Sequence, residues 1–397
     1  MNPVRNSNQN FLGSEKKIMR QQNQKISNPV RNKFLSGANG VKSYEKEFPY
    51  FKTKVEGVTE KFNLSDPAER KKYFAVKAGP EIAQLKEYLK NNTFVAYFLG
   101  KKNSGKGTYS KLMIEVFGED KISHISVGDI VRGVHRDMED EQKTRELMDF
   151  LYQNYRGYIS VDDAIKALLS RDTKTLLPTE FILALIKREI DKLLRKSLFI
   201  DGFPRELDQI SYSLFFRDLI NYRQDPDIFV VISIPESVID ERMKYRVVCP
   251  VCQTPRNLKL FATKLAGYDA EKKQFYLICD DPNCGGARMV AKEGDNLGRE
   301  TIRERLELDD KLIEKVFSLH GIPKVFLRNS LPIKLAKDLV DDYEITPEYV
   351  FRLDKNNQVK IREKQWIVKD DDDVDAYSLL AAPIVLSLIK QLAKILS

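Results

Sequence analysis

What this chain of 397 residues has little of narrows its class: it carries four cysteines, three histidines and one tryptophan. No apolar run opens the sequence, so no secretory signal is expected. The most apolar stretch, Leu379 to Leu396, is broken by Pro383, Ser387, Lys390, Gln391 and Lys394, which argues against a membrane span. No long Lys/Arg tract accompanies the net charge of +8, so small polyanions are expected as partners, not nucleic acid. A cytoplasmic protein is the expectation, and in that reduced compartment cysteines serve metal more often than disulfides. Charged and aliphatic residues are both plentiful, and the length allows one large core with attachments or two domains.

What is present centres on Phe94 to Thr108, FVAYFLGKKNSGKGT. Phe94 to Leu99 has the length and the β-branched and aromatic content of a buried strand ending at a glycine. Gly100, Gly105, Lys106, Gly107 and Thr108 follow at the spacing of a phosphate-binding loop. Glycines let several N–H groups turn toward one anion, and a helix from Lys106 adds its positive end. Lys106 can then reach terminal phosphates, and Thr108 can sit near magnesium. An ordinary glycine turn is the rival reading. The strand before it and the apolar periodicity after it (Leu112, Met113, Val116, Phe117) weigh against that.

Residues 1–43 are rich in Asn, Gln, Ser and Lys, and NPVRN occurs twice, at Asn2–Asn6 and Asn28–Asn32. Two pentapeptides do not make a solenoid, and a disordered leader is expected, with an internal start such as Met19 or a basic partner-binding arm as further readings. Residues 44–92 read as a helical extension. One helix starts at Ser65-Asp66-Pro67, and a second runs from Pro80 to Leu89. Further strands are expected near Ile122–Ile125, Ser197–Ile200, Asp227–Ile234 and Lys324–Leu327. Helices lie between them, which makes an α/β doubly wound parallel sheet whose ligands gather at the carboxyl strand ends. Gly128-Asp129 marks a strand-to-helix turn, with Arg132 in the first helical turn after it. Asp201, at the end of a buried strand in DGFPR, is placed to hold Mg²⁺ through water; a helix-capping turn is the alternative. Arg242 and Arg246 share a helix face.

Cys249-x2-Cys252 and Cys279-x4-Cys284, separated by 26 residues, can converge on one tetrahedral Zn²⁺ of structural type. A nucleic-acid-binding zinc ribbon and four unrelated buried cysteines are the other readings. Arg299 to Leu319 reads as a long amphipathic helix and Ile333 to Val340 as a shorter one. Residues 343–397 read as a β-hairpin (Tyr349–Leu353 and Gln358–Ile361), a third strand near Gln365–Val368, a solvated acidic loop at Asp370–Asp373 with a weak cation site as its rival, and a closing helix.

Together these motifs resemble the adenylate kinase family of nucleoside monophosphate kinases, in its zinc-lid form. GKKNSGKGT looks like that family's phosphate loop, SVGDIVR like its monophosphate-site turn, and IDGFPRELDQ like its DGFPR signature. LLPTEFILALIKREI is similar to the segment closing the monophosphate pocket. DERMKYRVVCPVC with CDDPNC looks like the zinc lid, and RETIRERL like the helix returning from it. The likeness spans residues 93–342, with a helical monophosphate lobe at about 126–178 and a small lid at about 245–297.

The resemblance implies phosphoryl transfer from ATP to a nucleoside monophosphate, with AMP as the expected acceptor. A pyrimidine monophosphate kinase (CMP or UMP) and an inactive nucleotide-binding module are the alternatives. It further implies Mg²⁺ with ATP, a structural Zn²⁺ on Cys249, Cys252, Cys279 and Cys284, and a monomer. Asn103, Ser104, Gly105, Lys106, Gly107 and Thr108 would wrap the ATP phosphates, and Arg242 would stack on the donor adenine. Arg132 and Arg205 would hold the acceptor phosphate, Gln209 its base edge, with Val127, Leu177 and Gly202 lining that pocket. Arg246 and Arg305 would close on the transferring group, and Asp201 would anchor the magnesium shell. None of the three histidines falls in a signature, so no histidine base is expected. Val127 stands where the family has threonine, Lys292, Asp295 and Asn296 stand near its lid carboxylates at shifted spacing, and Leu331 replaces a lysine after the last core strand. Roughly twenty residues are added between Arg132 and Leu177.

Overall fold

The structure is a computed structural model, and it describes residues 48–170, 177–292 and 303–397. The leader at 1–43, the Asn-Pro-Val-Arg-Asn repeats, Asp295, Asn296 and the first residues of the expected helix from Arg299 lie outside the described residues.

Four of the central strands come early in the chain: β1 (Val95–Leu99), β2 (Ile122–Ser126), β3 (Ser197–Asp201) and β4 (Asp227–Ser233). The lid follows, with β5 (Arg246–Val248), β6 (Pro255–Asn257), β7 (Leu265–Asp269), β8 (Gln274–Ile278) and β9 (Val290–Ala291). Next come β10 (Lys324–Arg328) and β11 (Ser330–Pro332), and then β12 (Pro347–Leu353), β13 (Val359–Gln365), β14 (Val368–Lys369) and β15 (Asp375–Ser378). The central sheet has the order β10-β4-β1-β3-β2 and every pair in it is parallel. All five residues of β1 are buried, as a strand covered on both faces requires. One face packs on Phe94, Phe98 and Phe199 with the helix Ala381–Ile395. The other packs on Tyr97, Ile200, Phe203 and Phe229. This is the α/β phosphate-loop kinase fold, with ligand-facing loops at the carboxyl ends of the strands.

The helical lobe holds Val127–Asp137, Glu141–Asn154, Val161–Leu169 and Thr179–Asp191, which share a core around Leu147, Leu151, Phe181 and Leu185. The first of these helices begins immediately after β2, with the Ser126 hydroxyl accepting from Asp129 N–H. The expected turn at Gly128-Asp129 is therefore corrected: both residues lie in the first helical turn and Arg132 lies in the second.

The N-terminal segment holds the two expected helices: the helical span Pro67–Tyr88 is capped by Asp66 and breaks into two at Ala78, whose φ of −147° is non-helical. Pro80 lacks the N–H to bridge the bend, and burial of Ala78 and Leu85 keeps both halves on the core. The expected third strand near Gln365–Val368 is also corrected. Residues Val368–Lys369 leave the hairpin and pair with β15, which continues onto β11. The acidic run closes a tight turn. Asp370 accepts from Asp372 and Val374 N–H, and Asp371 accepts from Glu236 N–H at 2.8 Å, capping the helix Glu236–Lys244.

The two ends of the described chain meet in a buried polar cluster. Lys77, with no exposed side-chain surface, lies 2.6 Å from Asp341 and 2.8 Å from Glu344. Glu344 also accepts from Tyr73 Oη at 2.6 Å and from Asp341 N–H at 2.7 Å. Burying charge is tolerated when every lone pair is satisfied, and removing one partner strands the others. Lys77→Met is expected to lower the unfolding free energy by about 3–5 kcal/mol, read by urea denaturation. A loss below about 1 kcal/mol would show that the cluster relaxes to water.

Candidate functional site

The phosphate loop leaves β1 at Gly100 and enters the helix Lys106–Phe117. Gly105 has φ +106°, and a Cβ there would lie 2.7 Å from the Tyr109 ring, so geometry and space both demand glycine. Asn103 is also left-handed, at φ +66°, a conformation asparagine tolerates better than most residues. Lys106 folds into the loop, its Nζ donating to Gly100 O at 2.8 Å and to Lys101 O at 3.1 Å, and lies 3.8 Å from Asp201 Oδ1. Ser104 Oγ and Asn103 Nδ2 are buried beside it without hydrogen-bond partners. Orphaned donors are costly unless a ligand meets them. Their chemistry, with the helix end and Lys106, fits phosphate oxygens.

Two arginines converge on the same loop. Arg242 Nη1 donates to Asn103 O at 2.9 Å, and Arg246 Nη1 donates to Asn103 Oδ1 at 2.7 Å. Burial pushes the Arg242 guanidinium below its usual range, and Tyr109 works the other way. Arg242 also reaches Asn329 Oδ1 at 3.5 Å, and Ser378 holds that amide at 2.8 Å. Arg242 is thus packed under the loop and braced by the C-terminal segment.

Opposite them, on the helix Arg303–Phe317, Arg305 lies 3.9 Å from Asp309. Burial raises the Asp309 carboxyl, while Arg305 and Lys106 act against that, and its Oδ2 has no hydrogen-bond partner. Lys101, buried in the loop, pairs with Glu236 at 3.1 Å and Asp310 at 3.5 Å. Sequence reasoning missed Lys101, Asp309 and Asn329. The pair of lysines in the loop and the four-residue step from Arg305 to Asp309 were the available signals; nothing local marks Asn329.

The acceptor-side residues sit at the next two strand ends. Gly202 follows β3 with φ +87°, and a Cβ there would come 3.2 Å from Val127 Cβ, so the two residues meet in close packing. Gln209 is buried, accepting from Arg205 N–H at 2.8 Å and donating to Thr179 Oγ1 at 3.1 Å. Leu177 packs against the lobe core. Arg132 pairs with Asp129 on the surface, and the Arg205 side chain is exposed. The structure thus gathers Lys106, Asp201, Asn103, Ser104, Arg242 and Arg246 closely. Arg132 and Arg205 are not part of that group: Arg132 is engaged by Asp129, and Arg205 is exposed. Gly107 and Thr108 lie in the first turn of the loop helix. Burial lowers the His124 imidazole on β2 and favours its neutral form, with Asp201 and Asp129 pulling the other way.

In the lid, one sulfur from each of Cys249, Cys252, Cys279 and Cys284 lies within 4.8 Å of the others. The Cys252 and Cys279 sulfurs are 3.7 Å apart. Zn–S bonds of about 2.3 Å in a tetrahedron put sulfurs roughly 3.8 Å apart, so the donors fit zinc. Hydrogen bonds from Thr254, side chain and backbone, bring the Cys252 thiol down to about 6. The C-terminal hairpin braces this lobe from outside. Tyr349 N–H donates to Lys259 O at 2.7 Å, the Phe351 ring stacks on Phe275 at 5.7 Å, and Trp366 is buried with Leu260, Met243 and Leu306. Cys249→Ser is expected to lower metal content from one zinc per chain and to loosen the lid, read by elemental analysis and thermal melting. Full metal content in that variant would count against the site. Phe351→Ala is expected to speed hydrogen exchange across Leu265–Ile278, and unchanged exchange there would mean the hairpin merely rests on the lid.

No family model matches the chain. It is similar to adenylate kinases. That of Thermotoga petrophila is 29% identical over 214 residues, 53% of this chain and 78% of that protein. The adenylate kinase of Clostridium acetobutylicum is 29% identical over 237 residues, 59% of this chain and 87% of that protein. That of Clostridium tetani is 27% identical over 230 residues, covering 58% and 87%. Those matches are spread along most of each relative, and the chain carries the same order of phosphate loop, DGFPR strand end and cysteine lid on a five-stranded parallel sheet. On that combination, the chain is similar to the adenylate kinases in sequence, in motif order and in the fold that carries those motifs.

Proposed function

We propose that the protein moves the γ-phosphoryl group of ATP onto a nucleoside monophosphate, with AMP as the acceptor. The observation that carries this reading is the pair of orphaned donors, Ser104 Oγ and Asn103 Nδ2, buried around Lys106 at the carboxyl end of β1. Phosphoryl transfer needs positioning and neutralised charge far more than a proton-transfer group. Lys106 would exchange its two carbonyl contacts for phosphate oxygens. Arg246 and Arg305 would swing from Asn103 and Asp309 onto the group in transit. Arg132 would leave Asp129, and with Arg205 it would hold the acceptor phosphate. Mg²⁺ bound with ATP supplies further charge neutralisation, and Asp201 at the end of β3 is the residue that would hold its water shell. Zinc on the four cysteines would have a structural role, since thiolates fill all four positions. The lid would exclude water, the competing acceptor, in the gating role for which adenylate kinase lids are a well-known example. The reading goes with a cytoplasmic monomer.

Adenine as the acceptor base is supported by Gln209, buried between the Arg205 N–H and the Thr179 hydroxyl. A coupled assay across AMP, CMP, UMP and GMP is expected to show the highest kcat/KM with AMP. Preference for CMP or UMP would move the enzyme to the pyrimidine class. Lys106→Met is expected to lower kcat by about 10²–10³-fold. A wild-type chain inactive on every acceptor would leave a nucleotide-binding module without transfer activity.

A further inference from the structure

Away from the kinase site, the N-terminal arm, the start of β10 and the helix Ala381–Ile395 line an open cavity of about 520 Å³. That volume lies in the range of small-molecule sites. Its charged lining is of one sign: Lys52, Lys324, Lys390 and Lys394, with no carboxylate among the lining residues. Tyr50, Phe51, Leu386 and Ile395 supply apolar wall. Lys390 and Lys394 stand four residues apart on one helix face, and neither makes an ion pair among the described residues. Lys324 gives one hydrogen to Leu319 O, and burial alone lowers its ammonium from the usual lysine range. Lys52 reaches an acid at 3.7 Å, the exposed Glu56. The other polar groups are spoken for: Gln391 bonds Phe326 N–H and O, and the Thr53 hydroxyl donates to Glu344. The end of the helix offsets part of the charge of Lys390 and Lys394. Four lysines with no carboxylate among the lining residues give the concavity one sign of charge, which suits a multiply charged anion.

We propose that this cavity is a second anion site, taking a polyphosphate group, either free or as the tail of a nucleotide. Two or three linked phosphates bridge lysines on three chain segments at once, which a single small anion does not. The site is separate from the phosphate loop and does not rest on the transfer reading.

The test is calorimetric titration of the full chain with tripolyphosphate, at low and at about 0.3 M salt, using wild type, Lys390→Gln/Lys394→Gln and Lys106→Met. Wild type is expected to bind two equivalents, each substitution set removing a different one. At the cavity, the double variant is expected to bind at least about tenfold more weakly, roughly 1.4 kcal/mol, with affinity falling as salt rises. Both lysines are at least partly exposed on the helix surface, and an unchanged melting temperature shows that the variant is folded. Pyrophosphate and ATP form the second arm. Equal affinity assigns a free polyphosphate, and tenfold preference for ATP assigns a nucleotide. Binding that the double variant leaves untouched, whether wild type takes one equivalent or two, overturns the proposal; a single equivalent lost in the double variant supports the cavity and counts against the phosphate loop. A retained second equivalent in Lys106→Met speaks against the phosphate-loop reading and leaves the cavity standing.

Discussion

Like charges have to be held together at the carboxyl edge of the sheet, and the rest of the molecule serves that constraint. Lys106, Arg242 and Arg246 all contact the loop between β1 and its helix: the lysine on Gly100 and Lys101 carbonyls, the arginines on Asn103. Their mutual repulsion is offset by backbone oxygens, by Asp201 and by Asp309 on the lid-return helix. The carboxylates are too few and too poorly placed to finish the work. Asp309 keeps a bare oxygen, and Asn103 and Ser104 keep unpaired donors. A site left incomplete in this way has stabilisation in reserve for phosphate.

The two flanking segments act on this site from behind. Residues 48–92 and 343–397 close on each other through Lys77 and Glu344, and the closing helix fills one face of the sheet. From that anchor the C-terminal segment reaches the catalytic side three times. Ser378 fixes Asn329, which contacts Arg242; Asp371 caps the helix carrying Arg242; and the hairpin lies on the lid through Tyr349 and Phe351. The hairpin thus packs on the lid through one backbone hydrogen bond and one ring stack. Among the described residues, no helix is long and apolar enough to cross a membrane.

The central strands could be read from runs such as VAYFL and DIFVVIS, because a strand buried on both faces is apolar along most of its length. The phosphate loop, the strand-end Asp201 and the paired cysteines were equally legible, since each depends on residue types at short spacing. Of the C-terminal strands, the hairpin β12–β13 was legible and the rest were not: β14 is two residues long, and its partner β15 and the neighbour β11 come from different stretches of chain. Pairing over such distances leaves no local periodicity. Asp370–Asp373 reads as a solvated run because nothing nearby in sequence reveals that Asp371 accepts from the N–H of Glu236.

By itself, then, the sequence determined the sheet, the order of the ligand-binding segments and the four thiols, all consequences of side-chain type at fixed local spacing. Tertiary structure decided which charges meet. It set Arg242 and Arg246 on one asparagine, turned Arg132 onto Asp129, buried Lys77 against Glu344, and left four lysines facing one cavity. Charge encounters link residues far apart in the chain and act through space, so only the folded chain brings those side chains within reach of one another.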